Sequence, residues 1–427
     1  MHLYYEEVHL MSTPVAAAQN NASTLRLLQL VPEALPTFRV DVTTLFGDYL
    51  PRHGIECDLV GKPVLGALPD CGDGVRFARV RTSSAQGGRL RREGAFLLTC
   101  LRALLKANRA TCDVIQVRDM VSIGLLALVV ARLKGIPFVF WVSFLMCEAR
   151  IARARAQLAA HGGLRNRLIL LKGLLEERLL YRVVLPGAQH VFVQSGAMLE
   201  MMLEKGISKS RLSAVPMGVD TQALAAAPVL AERPQGWQHG PLIAYLGTLD
   251  PSRQIERMIE VLASVRVSYP DARLLLIGSA GSPAETATLQ AQVDASGLGA
   301  AVRITGWLPS RQAWALLASA DAAVSYFPRG LIHDTCSPTK LLEYMALGMP
   351  VVANDNPDQV RVLKESGAGW LVDSSTPAMA QGLLDILADP AAARARAASG
   401  PAYIEAARSY RVIAAAVAGQ YRRLVLR

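Results

Sequence analysis

Short apolar runs alternate along the chain with longer stretches whose apolar residues recur every three or four positions. Leu25 to Val31 reads as a buried strand, Val40 to Arg52 as a helix and Ile55 to Val60 as the next strand. Val75 to Arg81, Asp113 to Val117 and Pro137 to Val142 are further strands. Helices at Phe96 to Ala107 and Val121 to Lys134 separate them, the second stopped by Gly135. A long helical region from Ala149 to Leu185 leads to a strand at His190 to Gln194, a helix at Gly196 to Lys205 and a strand at Leu212 to Pro216. Strands that read as continuous apolar runs are covered on both faces, so the order predicts a doubly wound parallel sheet.

Ala225 to Gly240 mixes Ala, Pro, Gly, Gln and charges without periodicity and reads as a linker, after which the alternation restarts. Strands are expected at Leu242 to Leu246, Arg273 to Ile277, Val302 to Thr305, Ala322 to Ser325, Pro350 to Ala353 and Gly369 to Val372. Helices are expected at Ile255 to Ser268, Ala284 to Ala295, Arg311 to Ser319, Lys340 to Ala346 and Gln359 to Glu365. The expected organisation is a flexible lead-in at 1–22, a Rossmann-like domain at 23–228, a linker at 229–240, a second Rossmann-like domain at 241–405 and an amphipathic C-terminal helix at 406–427, placed to pack back on the first domain. Two domains also suit 427 residues, too many for one ordinary core.

Composition narrows the class. Hydrophobic residues make up 52% and aromatics 6%, as in helices packed on buried parallel strands. The six cysteines are scattered, with no C-x-x-C pair and no histidine at zinc spacing, so a reduced, cytoplasmic chain without structural metal is expected. The N-terminal residues lack the pattern of a signal peptide. The most apolar stretch, Met120 to Cys147, is interrupted by Arg132, Lys134 and the Gly135-Ile136-Pro137 turn, so no membrane span is expected. The net charge of +10 suits a nucleic acid, an anionic membrane or a phosphorylated substrate.

In open parallel sheets ligands bind beyond the carboxyl ends of the strands, where loops and helix starts expose N–H groups. There the second half carries Gly247-Thr248-Leu249-Asp250-Pro251-Ser252-Arg253, a glycine turn followed by a fixed positive charge. Further on stands Ser337-Pro338-Thr339-Lys340-Leu341-Leu342-Glu343-Tyr344-Met345-Ala346, with Ser337 as expected N-cap and Pro338 as expected first helical residue. Lys340 in a first helical turn opposes the helix dipole unless an anion lies nearby. Glu343, one turn on, is placed to accept hydrogen bonds from ribose hydroxyls. Read alone, each of these segments also fits an ordinary capped surface helix or strand-to-helix turn.

With these motifs the chain resembles the GT-B glycosyltransferases of family 4 from Leu25 onward. That family carries a G-R-L-x-x-x-K loop, an F-x-G-x-x-P turn and an E-x7-E segment leading to A-x-G-x-P-V-V. Here Thr248 stands where the arginine is usual and Arg253 where the lysine is, and the turn reads Thr305-Gly306-Trp307-Leu308-Pro309. Only the second acid remains, as Glu343; the first falls on Thr335, with Asp334 one residue before. The SPTKLLEYMA wording resembles a branch associated with surface polysaccharide assembly. Asp113 to Asp119, Val191 to Ser195 and Val215 to Asp220 resemble the family's first domain. The histidine often found after the strand at Pro137 to Val142 is replaced by Ser143.

The resemblance implies an α/β, GT-B protein with two Rossmann-like domains facing across a cleft, acceptor on the first and nucleotide sugar on the second. It implies retaining hexosyl transfer from a nucleotide-diphosphate sugar to a polysaccharide, lipid-linked or small-molecule acceptor, with no metal and no cofactor. The expected catalytic residues are Arg253, Lys340, Glu343 and Asp334. The expected nucleotide contacts are Gly247, Thr248, Arg253, Gly278, Gly306, Trp307, Ser337, Pro338, Thr339, Lys340, Leu341 and Glu343. No Asp-x-Asp triplet supplies ligands for a metal-bridged diphosphate.

Two other classes stay open, a nucleotide-sugar 2-epimerase of the same fold and a degenerate homologue that binds nucleotide without turnover. A dinucleotide dehydrogenase is disfavoured because Pro32-Glu33-Ala34-Leu35-Pro36, not G-x-G-x-x-G, follows the first strand. Arg150, Arg153, Arg155, Arg165, Arg167, Lys172, Arg178 and Arg182 are interleaved with Leu, Ile and Ala, so 149–182 is a candidate for peripheral contact with the inner face of the plasma membrane. They are not interleaved with aromatics, and no nucleic acid is expected. Glu148 fits either an acceptor-side carboxylate or a solvated helix start, and monomer and dimer both stay open.

Overall fold

The structure is a computed structural model that describes residues 24–37, 39–65, 77–226 and 231–426; the expected lead-in at 1–22 lies outside them. The first sheet contains β1 (Leu25–Leu35), β2 (Ile55–Pro63), β3 (Arg79–Thr82), β4 (Val114–Arg118), β5 (Phe138–Val142), β6 (His190–Val193) and β7 (Leu212–Ala214). The second contains β8 (Leu242–Leu246), β9 (Arg273–Ile277), β10 (Val302–Ile304), β11 (Ala322–Ser325), β12 (Val351–Asn354) and β13 (Trp370–Val372). Neighbouring strands run parallel throughout, in the orders β3-β2-β1-β4-β5-β6-β7 and β10-β9-β8-β11-β12-β13. The α/β, doubly wound expectation therefore holds for both halves. Each order reverses once, between β1 and β4 and between β8 and β11, and ligands of such sheets collect outside the strand ends at that reversal.

Both faces of each sheet are covered, which is why the strands read as unbroken apolar runs. On the first sheet, Leu28, Leu30, Ile115, Val117, Phe138 and Phe140 pack under the helices Arg89–Lys106 and Val121–Lys134. The alternate residues Leu27, Val114, Val139, Trp141 and Phe192 pack on the other face against the helical segment 41–52 and the helix Tyr410–Val425. Trp141 is fully buried, edge-on to Phe46 at 5.3 Å. Burying a side chain of this kind stabilises the fold by about 1.5–3 kcal/mol.

The C-terminal segment returns from the second sheet to the first. Val219 donates its N–H to Arg408 O at 2.9 Å and accepts from Tyr410 N at 3.0 Å. Ser409 caps the last helix through Val412 N, so the tail that reads as one helical stretch is broken there. The 149–185 region is likewise divided, into helices Met146–His161 and Leu164–Leu179. The break falls at Gly162-Gly163, where φ values of +61° and +92° are accessible chiefly to glycine. Among the described residues no helix is long and apolar enough to cross a membrane.

Candidate functional site

The loop after β8 and the segment between β11 and the helix Thr339–Ala346 meet at the reversal point of the second sheet. Gly247, at φ +145°, leaves room for the Lys340 side chain: a Cβ there would come within 2.6 Å of Lys340 Cε. Gly278 lies directly behind, at φ +148°, where a Cβ would overlap Gly247 O. Two glycines are thus needed for β8 and β9 to let this loop pass beside the lysine.

Lys340 is buried, its Nζ 5.1 Å from the centre of the Tyr245 ring and 5.5 Å from that of Phe327. The Arg253 guanidinium stands 4.5 Å from the same Phe327 ring. Two cations therefore share one aromatic ring beside the start of a helix. Among the described residues Lys340 forms no ion pair, and Arg253 has only Asp250 at 3.8 Å. Arg253 Nε is buried without a hydrogen-bond partner. Burial first, and Arg253 second, push Lys340 down to about 7. The first turn of the helix adds unpaired N–H groups and roughly half a positive charge. All three contributions favour an incoming anion, and among the described residues only Arg253 has an ion-pair partner, the Asp250 oxygen at 3.8 Å.

Glu343, one turn beyond Lys340, is half-buried and pushed up to about 6 by burial, opposed by Trp314 and Lys340. Trp314 Nε1 donates to its Oε1 at 2.9 Å. The other carboxylate oxygen has no partner among the described residues, so it can accept from hydroxyls of a ligand.

Several expected residues lie elsewhere or act otherwise. Ser337 is not the N-cap: Pro338 occupies that position without a side-chain cap, and the helix begins at Thr339. The Ser337 hydroxyl instead donates to Asp358 Oδ2 at 2.5 Å and accepts from Met217 N at 3.0 Å, because the buried Asp358–Arg408 ion pair competes for it. Leu341 is 1% exposed and its side chain belongs to the core, leaving only its backbone N–H at the helix start. Thr248 is exposed, its hydroxyl bonded to Asp250. Asp334 is held by Arg329, whose Nε donates at 2.7 Å and which also pairs with Asp355 at 2.5 Å. Thr335 is buried; its hydroxyl donates to Ile332 O at 2.9 Å and its carbonyl accepts from Ser195 Oγ at 2.7 Å. Neither residue presents an unpaired acid to the cleft. Gly306 pairs with Gly278 in an antiparallel bridge, and Trp307 is exposed.

Phe327 and His333 carried no sequence signal. Phe327 follows β11 and supports both cations, and His333 packs edge-on to it at 5.4 Å. In the first sheet Arg118, fully buried at the end of β4, pairs with Asp41 at 2.5 Å and Glu33 at 3.3 Å. Asp119, at φ +54°, accepts from Ser143 N at 2.7 Å and from the Ser143 hydroxyl, so the serine standing in the histidine's place is engaged in the scaffold. Glu148 is not a solvated helix start: its Oε1 accepts from the Tyr181 hydroxyl at 2.5 Å, while its Oε2 is buried without a partner among the described residues.

Residues 41–223 match the family described as Glycosyltransferase Family 4, and residues 232–402 match Glycosyl transferases group 1. Only the two ends and a short stretch between them lie outside the two matches. The chain belongs to the family 4 glycosyltransferases. The phosphatidyl-myo-inositol mannosyltransferase of Mycobacterium leprae (strain TN) is 30% identical over 175 residues, 40% of this chain and 43% of that protein. The chain thus aligns with under half the length of that relative. Among solved structures, sucrose-phosphate synthase from Thermosynechococcus elongatus covers 94% of this chain and 99% of its own, at 20% identity and a TM-score of 0.66. Anabaena Alr3699/HepE in complex with UDP-glucose covers 93% and 100%, at 14% identity and a TM-score of 0.67. These likenesses establish the GT-B fold for this family 4 member.

Proposed function

We propose that this family 4 protein transfers a sugar, with retention, from a nucleotide-diphosphate sugar to a lipid-linked or saccharide acceptor. In this reading residues 241–405 bind the donor and residues 23–228 the acceptor. The observation that carries it is the meeting of Arg253 and Lys340 on the Phe327 ring, beside a helix start and without a neutralising carboxylate on the lysine. As the sugar leaves, negative charge grows on the diphosphate, and these groups offset it without a metal. Each such contact in a dry cleft is worth about 2.7–4 kcal/mol at the transition state.

The lipid acceptor is supported by the relatives, whose names are those of phosphatidylinositol mannosyltransferases, and by one surface. Leu164, Leu168, Leu171 and Leu175 are all exposed and recur along one side of the helix Leu164–Leu179, flanked by the exposed Arg165, Arg167, Lys172 and Arg178. Such a face lies in the headgroup region with its leucines about 5–10 Å deep and its cations on anionic lipid. The helices Arg89–Lys106 and Val121–Lys134, which cover the same side of the first sheet, expose Leu97, Leu98, Leu105, Leu126, Val129 and Leu133 as well. Arg150 is not among the free cations, because it pairs with Glu176 across the helical hairpin.

The reading is tested by thermal stabilisation with uridine, guanosine and adenosine diphosphate sugars, using Arg253→Ala and Glu343→Ala as controls. Stabilisation by one donor that both substitutions weaken supports it, and so does release of the diphosphate when a lipid acceptor is added. Tight binding without turnover would favour the degenerate homologue, a reading for which the burial of Thr335 and the pairing of Asp334 speak.

A further inference from the structure

Glu343 would be a poorly aimed ligand on its own. Rotation about the last bond of a glutamate is broad, so a lone carboxylate samples many orientations. Here Trp314, on the helix Ser310–Leu317, is almost fully buried among Leu317, Leu341, Leu342 and Met345, and its indole has no freedom to follow a moving partner. The indole N–H is a donor only, and it holds Glu343 Oε1 at 2.9 Å. With that oxygen fixed, the plane of the carboxylate is set and the second oxygen is presented in one direction.

We propose that Trp314 is a positioning residue: by holding one oxygen of Glu343 it aims the other at the vicinal hydroxyls of the donor's pentose, and so makes the site select ribonucleotides over 2′-deoxyribonucleotides. This rests on the donor-site reading of Arg253, Lys340 and Glu343. The diphosphate contacts are blind to the sugar's 2′ position, so discrimination falls to the carboxylate. A hydrogen bond to an ionised group is among the stronger ones, and losing it reduces affinity roughly tenfold or more.

The test measures dissociation constants of uridine, guanosine and adenosine diphosphates by calorimetry, then compares the tightest of them with its 2′-deoxy form, in the unaltered protein and in Trp314→Phe. The expected result is a preference for the ribonucleotide of about tenfold or more in the unaltered protein, nearly abolished in Trp314→Phe, with 2′-deoxy affinity unchanged. Equal loss of both affinities, or a preserved preference, would overturn the role of Trp314 while leaving the donor site standing. Binding of no nucleoside diphosphate by the unaltered protein would overturn both.

A second measurement needs no variant. The groups facing Glu343 are Trp314, Lys340, Tyr344 and Tyr410, with Arg253 and Asp250 beyond the lysine. Protonating Lys340 strengthens ribo and deoxy forms alike, so their affinity ratio isolates the carboxylate. The ratio should fall toward one between pH 8 and pH 5; a ratio constant over that range would overturn the proposal.

Discussion

Gly247 and Lys340 occupy each other's space: the missing side chain of the glycine is where the lysine's Cε lies, 2.6 Å from an added Cβ. The neighbour is the far end of a flexible chain, so the conflict created by Gly247→Ala is resolved by displacing Lys340. The positive φ adds a strain of about 1–3 kcal/mol. The substitution should therefore lower the melting temperature by only a few degrees while weakening nucleotide-diphosphate binding roughly tenfold or more. Parallel thermal melts with and without nucleotide check this.

The burial of Lys340 makes donor binding proton-linked. Its value falls from 10.5 in the unfolded chain to about 7 in the folded one. Between those values the unfolded state holds a proton that the folded state lacks, so stability should rise with pH across this window, and Lys340→Met should remove that slope. A bound diphosphate restores the charge. At pH 8 binding should then take up nearly one proton, and at pH 6 almost none. Calorimetry in buffers of different ionisation heat measures this uptake.

Arg253 is anchored by stacking on Phe327 more than by its long ion pair with Asp250. Arg253→Lys keeps the charge and loses the planar fork, so it should retain part of the function; Arg253→Ala should cost about 10²–10³-fold in kcat/KM. Melting temperatures of both should stay near that of the unaltered protein, since the partly exposed pair contributes little to stability.

The ion pair of Arg408 with Asp358 is almost fully buried and also receives the Ser337 hydroxyl. Arg408→Met leaves that carboxylate unpaired, and the expected loss is about 3–5 kcal/mol in urea unfolding. Pairing it with Asp358→Leu should recover much of the loss, because removing both charges is far cheaper than removing one.

On the first domain, Leu168→Glu with Leu171→Glu should abolish pelleting with vesicles containing phosphatidylglycerol and leave nucleotide binding intact. Pelleting unchanged by these substitutions would locate membrane contact elsewhere. Vesicles of phosphatidylcholine alone should bind weakly even with the native leucines, as the cations then have no counter-charge.

The sheets were legible because a strand covered on both faces has to be apolar throughout. β8, β9, β11 and the helix Val121–Lys134 fall at their expected bounds for that reason. The end of β1 was less so, since Pro32-Glu33-Ala34 continues the strand past a register shift that apolar patterning does not record. At the site, Gly247, Arg253, Lys340 and Glu343 stood out through local glycine, charge and helix-start chemistry, and they do lie around one another. What escaped the sequence depends on distant partners. Ser337 reads as a cap until Asp358 and Arg408 fold against it, and nothing local to Trp314 announces that its indole meets Glu343. Asp334 differs for a nearer reason, because Arg329, five residues before it, pairs with its carboxylate.

A bound nucleoside diphosphate belongs between Arg253, Lys340 and Glu343. Crystals soaked with the tightest-binding one should show its phosphates within hydrogen-bond distance of Arg253 and Lys340 and its pentose on the free oxygen of Glu343. Phosphates held away from both cations, or a nucleotide bound only on the first domain, would contradict it.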